Sequence, residues 1–96
     1  MAVYIVGRMH IQHRDWWDEY FAQVPALIAQ HSGKFLVRGG ASETLEGRER
    51  LPDVVFVVEF PSKAQALAFW HSADFAPLIA LRQTGSTLEA MLLDGV

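Results

Sequence analysis

Apolar and polar positions alternate along Val3–Ile11, VYIVGRMHI: Val3, Ile5, Met9 and Ile11 fall on one face, Tyr4, Val6, Arg8 and His10 on the other. That period predicts a strand with one dry and one mixed face. From residue 16 the period lengthens. Trp17, Tyr20, Phe21, Val24, Leu27, Ile28 and His31 recur at helical spacing, with Trp16 at the edge of the stripe and Asp18, Glu19, Gln23 and Gln30 outside it. An amphipathic helix lying on a sheet follows, with Asp15 as its expected N-cap and Gly33 as its C-terminal stop. Pro25 falls on the wet side, where water can replace the lost bond to the Phe21 carbonyl, so a bend is expected and not a break.

The run KFLVR predicts a second strand. Residues 39–52 hold three glycines and most of the local charge, the composition of a hairpin or loop, and DVVFVVEF is a third strand closed by Pro61. Ser62 with Gln65 forms a capping-box pattern that opens a helix through Ala64, Leu67, Ala68 and His71. A second helical piece carries Phe75, Leu78, Ile79 and Arg82 at helical spacing and stops at Gly85. There Arg82, near the last turn, is expected to meet unpaired carbonyls. STLEAMLLDGV ends the chain as a strand, with Leu88, Ala90 and Leu92 alternating. Strand, helix, strand, strand, helix, strand is the βαββαβ order of a ferredoxin-like α+β fold: a four-stranded antiparallel sheet with its helices on one face, one domain over residues 1–96. The uncovered face would then present Tyr4, Val6, Leu36, Val55, Val57, Met91 and Leu93, an apolar patch that a second copy of the chain removes by packing sheet on sheet. A homodimer through the sheet faces is therefore expected.

Composition narrows the partners. Hydrophobic residues make up 51% of the 96 and charged residues 20%, a globular balance rich enough in apolar groups to leave surface for a partner. The formal charge of −3, with eight scattered Lys and Arg, argues against nucleic acid, which needs clustered positive charge. Without cysteine there is no disulfide framework, thiolate nucleophile or Cys-based zinc site. The start MAVYIVGRMH lacks the pattern of a signal peptide, and no window reaches the length of a membrane span, so a cytoplasmic protein is expected.

Candidate chemistry lies on the mixed sheet face. Regular alternation puts Arg8, His10, Arg38, Glu59, Thr87 and Glu89 there, with Arg8, His10, Arg38 and Glu89 gathered at one end and Glu59 nearer the other. A guanidinium beside an imidazole can hold a carboxylate or enolate while the imidazole moves a proton; the same charges can equally form ion pairs between subunits. His10 and His13 stand three apart, which on a strand points them to opposite faces, so they cannot both ligate one ion unless the strand ends between them. His31 reads as a core or cap residue, and Trp17 and Trp70 as core or pocket wall. RGG is followed by no helix and no serine sits in a G-x-S-x-G elbow, so neither a phosphate loop nor serine hydrolysis is indicated.

RGG at 38–40, LEG at 45–47, EFPS at 59–62 and AFWHS at 68–72 together resemble the domain-of-unknown-function family 1330 over nearly the whole chain. The resemblance implies the dimeric α+β barrel superfamily: two ferredoxin-like sheets face each other and small-molecule pockets lie between sheet and helices. It implies a fold and a dimer but no reaction, since the family has none established. Superfamily relatives include cofactor-free monooxygenases, lactone isomerases and haem-degrading enzymes. The stretch EGRERLPD lacks the Trp often found after the LEG turn, so no role is carried over to the hairpin tip. Trp70 and His71, within AFWHS, join Arg8, His10, Arg38 and Glu89 as candidate ligand-binding residues. The expectation is a homodimeric small-molecule-binding protein without a bound cofactor or metal. The alternative is a cofactor-independent isomerase with His10 as base, or a monooxygenase, acting on a small acidic or aromatic metabolite.

Overall fold

The computed structural model describes Met1–Val96. Its elements are β1 (Val3–Ile11), α1 (Trp17–Gln30), β2 (Lys34–Gly39), β3 (Val54–Phe60), α2 (Lys63–Trp70), α3 (Ala76–Gln83) and β4 (Ser86–Asp94). The strands form one antiparallel sheet in the order β2-β3-β1-β4, the ferredoxin-like arrangement that the sequence predicts. All three helices lie on one side, giving a slab 34 × 34 × 16 Å. No helix is long and apolar enough to cross a membrane.

Alternation decides what the sheet buries. Val3, Ile5 and Met9 of β1 and Val54, Val58 and Phe60 of β3 point under the helices, where they meet Tyr20, Val24, Leu27 and Ile28 of α1, Phe69 of α2, and Phe75 and Leu78 at α3. Trp16, Phe60, Phe75 and Met9 are the largest fully enclosed side chains. Each contributes roughly 2–3 kcal/mol by leaving water. Gly7 also faces this side, directly opposite Phe56. The far end of the Phe56 ring packs on Gly7, so that a Cβ there would collide with Cζ and Cε2.

Several local expectations give way to packing. Asp15 does not cap α1. It stays exposed beside the His13 Nδ1 at 3.6 Å, and the N-cap position belongs to Trp16, whose indole Nε1 donates to the His13 carbonyl at 2.7 Å. Burial of that indole fixes the helix entry in place of a side-chain cap. Pro25 is accommodated inside α1, partly buried and not wholly on the wet side. At the other end, the left-handed residue is Ser32, at φ 65°, and not Gly33. The Ser32 N–H donates to Ala29 and the Gly33 N–H to Ile28, both at 3.0 Å, which closes a Schellman turn. Gly33 is required for a different reason: a Cβ there would sit 2.5 Å from the Phe60 ring. In α2 the Ser62 hydroxyl accepts from the Gln65 N–H as expected, yet the buried face is Ala66 and Phe69, leaving Ala64, Leu67, Ala68 and His71 outward. Gly85 lacks a side chain because the His13 ring packs on it. Arg82 stands in the last turn of α3 as expected, but its side chain is buried and not spread over the exposed helix end. It is 3% exposed, with its guanidinium 5.8 Å from the centre of the Tyr20 ring.

The largest correction concerns β2. Phe35 pairs with Val58 and Val37 with Val57, so Leu36 is an extra residue, a β-bulge. Leu36 and Val37 together oppose the open-face Val57, and Arg38 then falls opposite Phe56. One inserted residue reverses the expected parity. Arg38 faces the helices and not the uncovered side.

Candidate functional site

Between the sheet and the helices lies a cleft lined only by apolar residues: Ile5 and Met9 from β1, Tyr20, Phe21, Val24 and Ile28 from α1, Phe35 from β2, Phe56 and Val58 from β3, Phe69 and Trp70 from α2, and Phe75. The α1 stripe that the helical period assigns to the core supplies one wall. The other is the β1–β3 face, and the Phe56 ring, admitted over Gly7 because that residue has no side chain, supplies part of its floor. Trp70 closes the far side, against Phe75 at 5.4 Å between ring centres. Counted out to solvent the hollow is about 370 Å³, but its free interior is only about 20 Å³. That is room for about one water, so the empty cleft is nearly shut by its own rings. Phe21, Phe35, Phe56 and Trp70 are only partly buried, and Phe21 and Phe35 lie at its rim.

Arg38 stands at that rim. Its guanidinium carbon is 5.0 Å from the centre of the Phe21 ring and 5.5 Å from that of Phe35, within the range of cation–π attraction. The four ion pairs of the molecule engage Arg8, His13, Lys34 and Arg50, and Arg38 belongs to none of them. Along the outer surface of α1, Phe21 packs on Trp17 at 4.5 Å and Arg14 lies over Trp17, also at 4.5 Å. Two guanidinium groups thus flank a pair of mutually tilted rings, and of these two only Arg38 lies over rings that line the cleft.

Tyr20 is the one cleft residue with a titratable group. Burial pushes its phenol above the usual tyrosine range, and the Arg82 guanidinium beside it works in the opposite direction. A buried phenol held protonated, among eleven other apolar side chains, gives the cleft no base at neutral pH.

The remaining predicted residues lie elsewhere. Arg8, His10 and Glu89 do share one end of the open sheet face: Arg8 is opposite Glu89 and His10 opposite Thr87 across β1–β4. Arg8 reaches the hairpin, with Nη1 3.3 Å from Glu49 Oε2. Asp53 holds this end together, accepting from the Ile11 N–H at 2.7 Å while its own N–H donates to Met9 at 2.8 Å. The His10 Nδ1 is buried without a partner. Glu59 sits at the opposite end, beside Lys34 at 3.6 Å and Tyr4, whose hydroxyl it holds protonated above the usual range. Arg38 and Trp70 are on the other side of the sheet from this cluster, and His71 caps α2 outside the cleft. β1 ends at Ile11, between His10 and His13, so the opposite-face placement of a continuous strand does not apply to this pair; His13 Nε2 lies 3.1 Å from the Thr84 carbonyl. His31 is a C-cap, its Nδ1 3.0 Å from the Leu27 carbonyl. Phe21, Phe35 and Phe56 are absent from the sequence-derived candidates because apolar residues carry no chemical signature. Their signal is position alone, beside the bulge and the glycine.

The family model described as "Domain of unknown function (DUF1330)" matches residues 2–96. No curated protein matches the chain in sequence. Among solved structures, a protein of unknown function from Rhodopseudomonas palustris superposes with a TM-score of 0.82 at 16% identity, covering 99% of this chain and 82% of that one. A dimeric ferredoxin-like protein of unknown function from Jannaschia sp. CCS1 gives 0.77 at 16%, covering 99% and 100%. SnoaB, a cofactor-independent oxygenase from Streptomyces nogalater, gives 0.70 at 19%, covering 99% and 93%. At these identities the likeness is one of fold.

Proposed function

Because the chain belongs to the DUF1330 family, which brings a ferredoxin-like fold without a reaction, we propose from its own geometry that it is a homodimeric small-molecule-binding protein whose ligand enters the apolar cleft. The observation that carries this is the lining: twelve apolar side chains from two helices, the segment before α3 and three strands converge on one hollow, and four of them are rings that are only partly buried. Homodimerisation is supported by the open sheet face, where Leu36 (49% exposed), Val37 (46%), Met91 (62%) and Leu93 (43%) lie with Val6, Val55 and Val57. It is supported further by the dimeric Jannaschia protein of the same fold. A second copy on that face leaves the cleft, on the helix side, free for a ligand.

A cofactor-independent isomerase or monooxygenase is the second reading. The likeness to SnoaB and the unpartnered, buried Nδ1 of His10 favour it. Against it stands the sheet itself, which separates His10 from the cleft and leaves any ligand there without a proton acceptor.

The test is methyl NMR of the protein titrated with N-phenyl-1-naphthylamine, an uncharged aromatic probe. Binding in the cleft shifts the methyls of Val24, Ile28 and Val58 and leaves those of Val6 and Val57 in place. Shifts confined to Val6 and Val57, or none at any site, overturn the cleft as the binding site.

A further inference from the structure

The bulge at Leu36 has a chemical result. A strand that ran regularly from Phe35 would carry Arg38 to the open face, among Arg8, His10 and Glu89. The bulge instead delivers the guanidinium to the rim of an otherwise uncharged cleft, and bulges commonly re-aim a side chain in this way beside binding sites. Phe21 and Phe35 support it from below, while every carboxylate engaged in an ion pair is engaged by another cation. Arg38 is exposed, so its planar fork of N–H donors is open to an incoming group.

We propose that Arg38 selects the ligand, and that the cleft takes a flat aromatic body carrying one anionic group, a carboxylate or its equivalent, which Arg38 binds at the rim. This ligand class rests on the cleft being the binding site. The aromatic part replaces the ring-on-ring contacts that now close the hollow. The anion stays at the edge, where the charge need not be buried and is still held by charge-assisted hydrogen bonds. An anion without the aromatic body gains little from one exposed guanidinium, and a cationic ligand is repelled.

Two fluorescent probes of similar shape separate the terms: 8-anilinonaphthalene-1-sulfonate, which is anionic, and N-phenyl-1-naphthylamine, which is not. Each is titrated into wild type, Arg38→Met and Arg38→Lys. Methionine keeps the apolar contact with Phe21 and Phe35, and at an exposed position neither substitution threatens the fold. Arg38→Met should weaken the sulfonate by roughly tenfold and leave the neutral probe unchanged, while Arg38→Lys recovers part of the loss. Benzoate and naphthoate should displace the sulfonate from wild type, and naphthylmethylammonium should not. Equal affinity of Arg38→Met and wild type for the sulfonate, with the neutral probe still bound in the cleft, overturns the anion selection alone. Failure of both probes to bind wild type overturns the selection together with the cleft itself.

Discussion

Tyr20 shows how one buried side chain ties the helix face to solvent pH. Its phenol is pushed up chiefly by burial, with Arg82 opposing, so the folded chain holds that proton more tightly than the unfolded chain, whose tyrosines titrate near about 10. Between those two values the native state binds the extra proton, and stability must fall as pH rises. The contribution is whole below the unfolded value and is lost as pH climbs through the folded one. Replacing Tyr20 with Phe removes this term. Urea midpoints measured from neutrality to beyond about pH 10 should drop less steeply for Tyr20→Phe than for wild type. Tyr4, raised by Glu59, titrates in both proteins and cancels in the comparison. Parallel curves would mean that the Tyr20 phenol ionises as freely in the fold as outside it.

Strands and helices were legible in the sequence wherever one period governed a whole segment. β1 and β3 bury alternate residues as their spacing predicts, β4 half-buries Leu88 and Leu92 but leaves Ala90 exposed, and α1 buries Tyr20, Val24, Leu27 and Ile28 of its stripe with Trp17, Phe21 and His31 at its edges. Legibility failed where tertiary packing chose between local options. Asp15 is a good N-cap type, but enclosing the Trp16 indole outweighs one capping bond. In α2 the apolar residues are spread around the helix, so spacing could not say that Ala66 and Phe69 would be the buried pair. In β2 the run FLV is apolar at three successive positions and contains no parity of its own. The bulge, and with it the face on which Arg38 stands, is fixed by pairing with β3. The Gly7–Phe56 pair was equally silent in the sequence, although it shapes the cleft floor, since glycine in a strand is ordinarily only a weakness. Gly7→Ala should force the Phe56 ring off its seat and cost about 1–3 kcal/mol in denaturant unfolding. Adding Phe56→Leu should recover much of that loss, with a coupling of about 1 kcal/mol in the double-mutant cycle. Additive losses would show that the ring does not depend on the glycine.

The whole molecule divides its tasks between the two faces of one sheet. The helix side holds the core, the cleft and Arg38; the open side holds exposed aliphatic residues and the charges at its ends. Val57 lies near the middle of the open side, paired with Val6 and opposed by Val37. In the proposed dimer a carboxylate there would be buried against the apolar face of a second copy. Sedimentation equilibrium should accordingly find wild type at twice the 10.8 kDa chain mass and Val57→Asp at the single mass, with association weakened at least roughly 100-fold. Wild type sedimenting as a stable single chain at micromolar concentration would refute the dimer. The Leu36 bulge gives this division a genetic reading. Losing that one codon would restore an uninterrupted ladder, with Phe35 and Arg38 still inward and Val37 still outward, and would subtract a single aliphatic side chain from the subunit contact. In the proposed dimer, length variation at this point would therefore tune how tightly two copies associate while Arg38 keeps its place at the cleft.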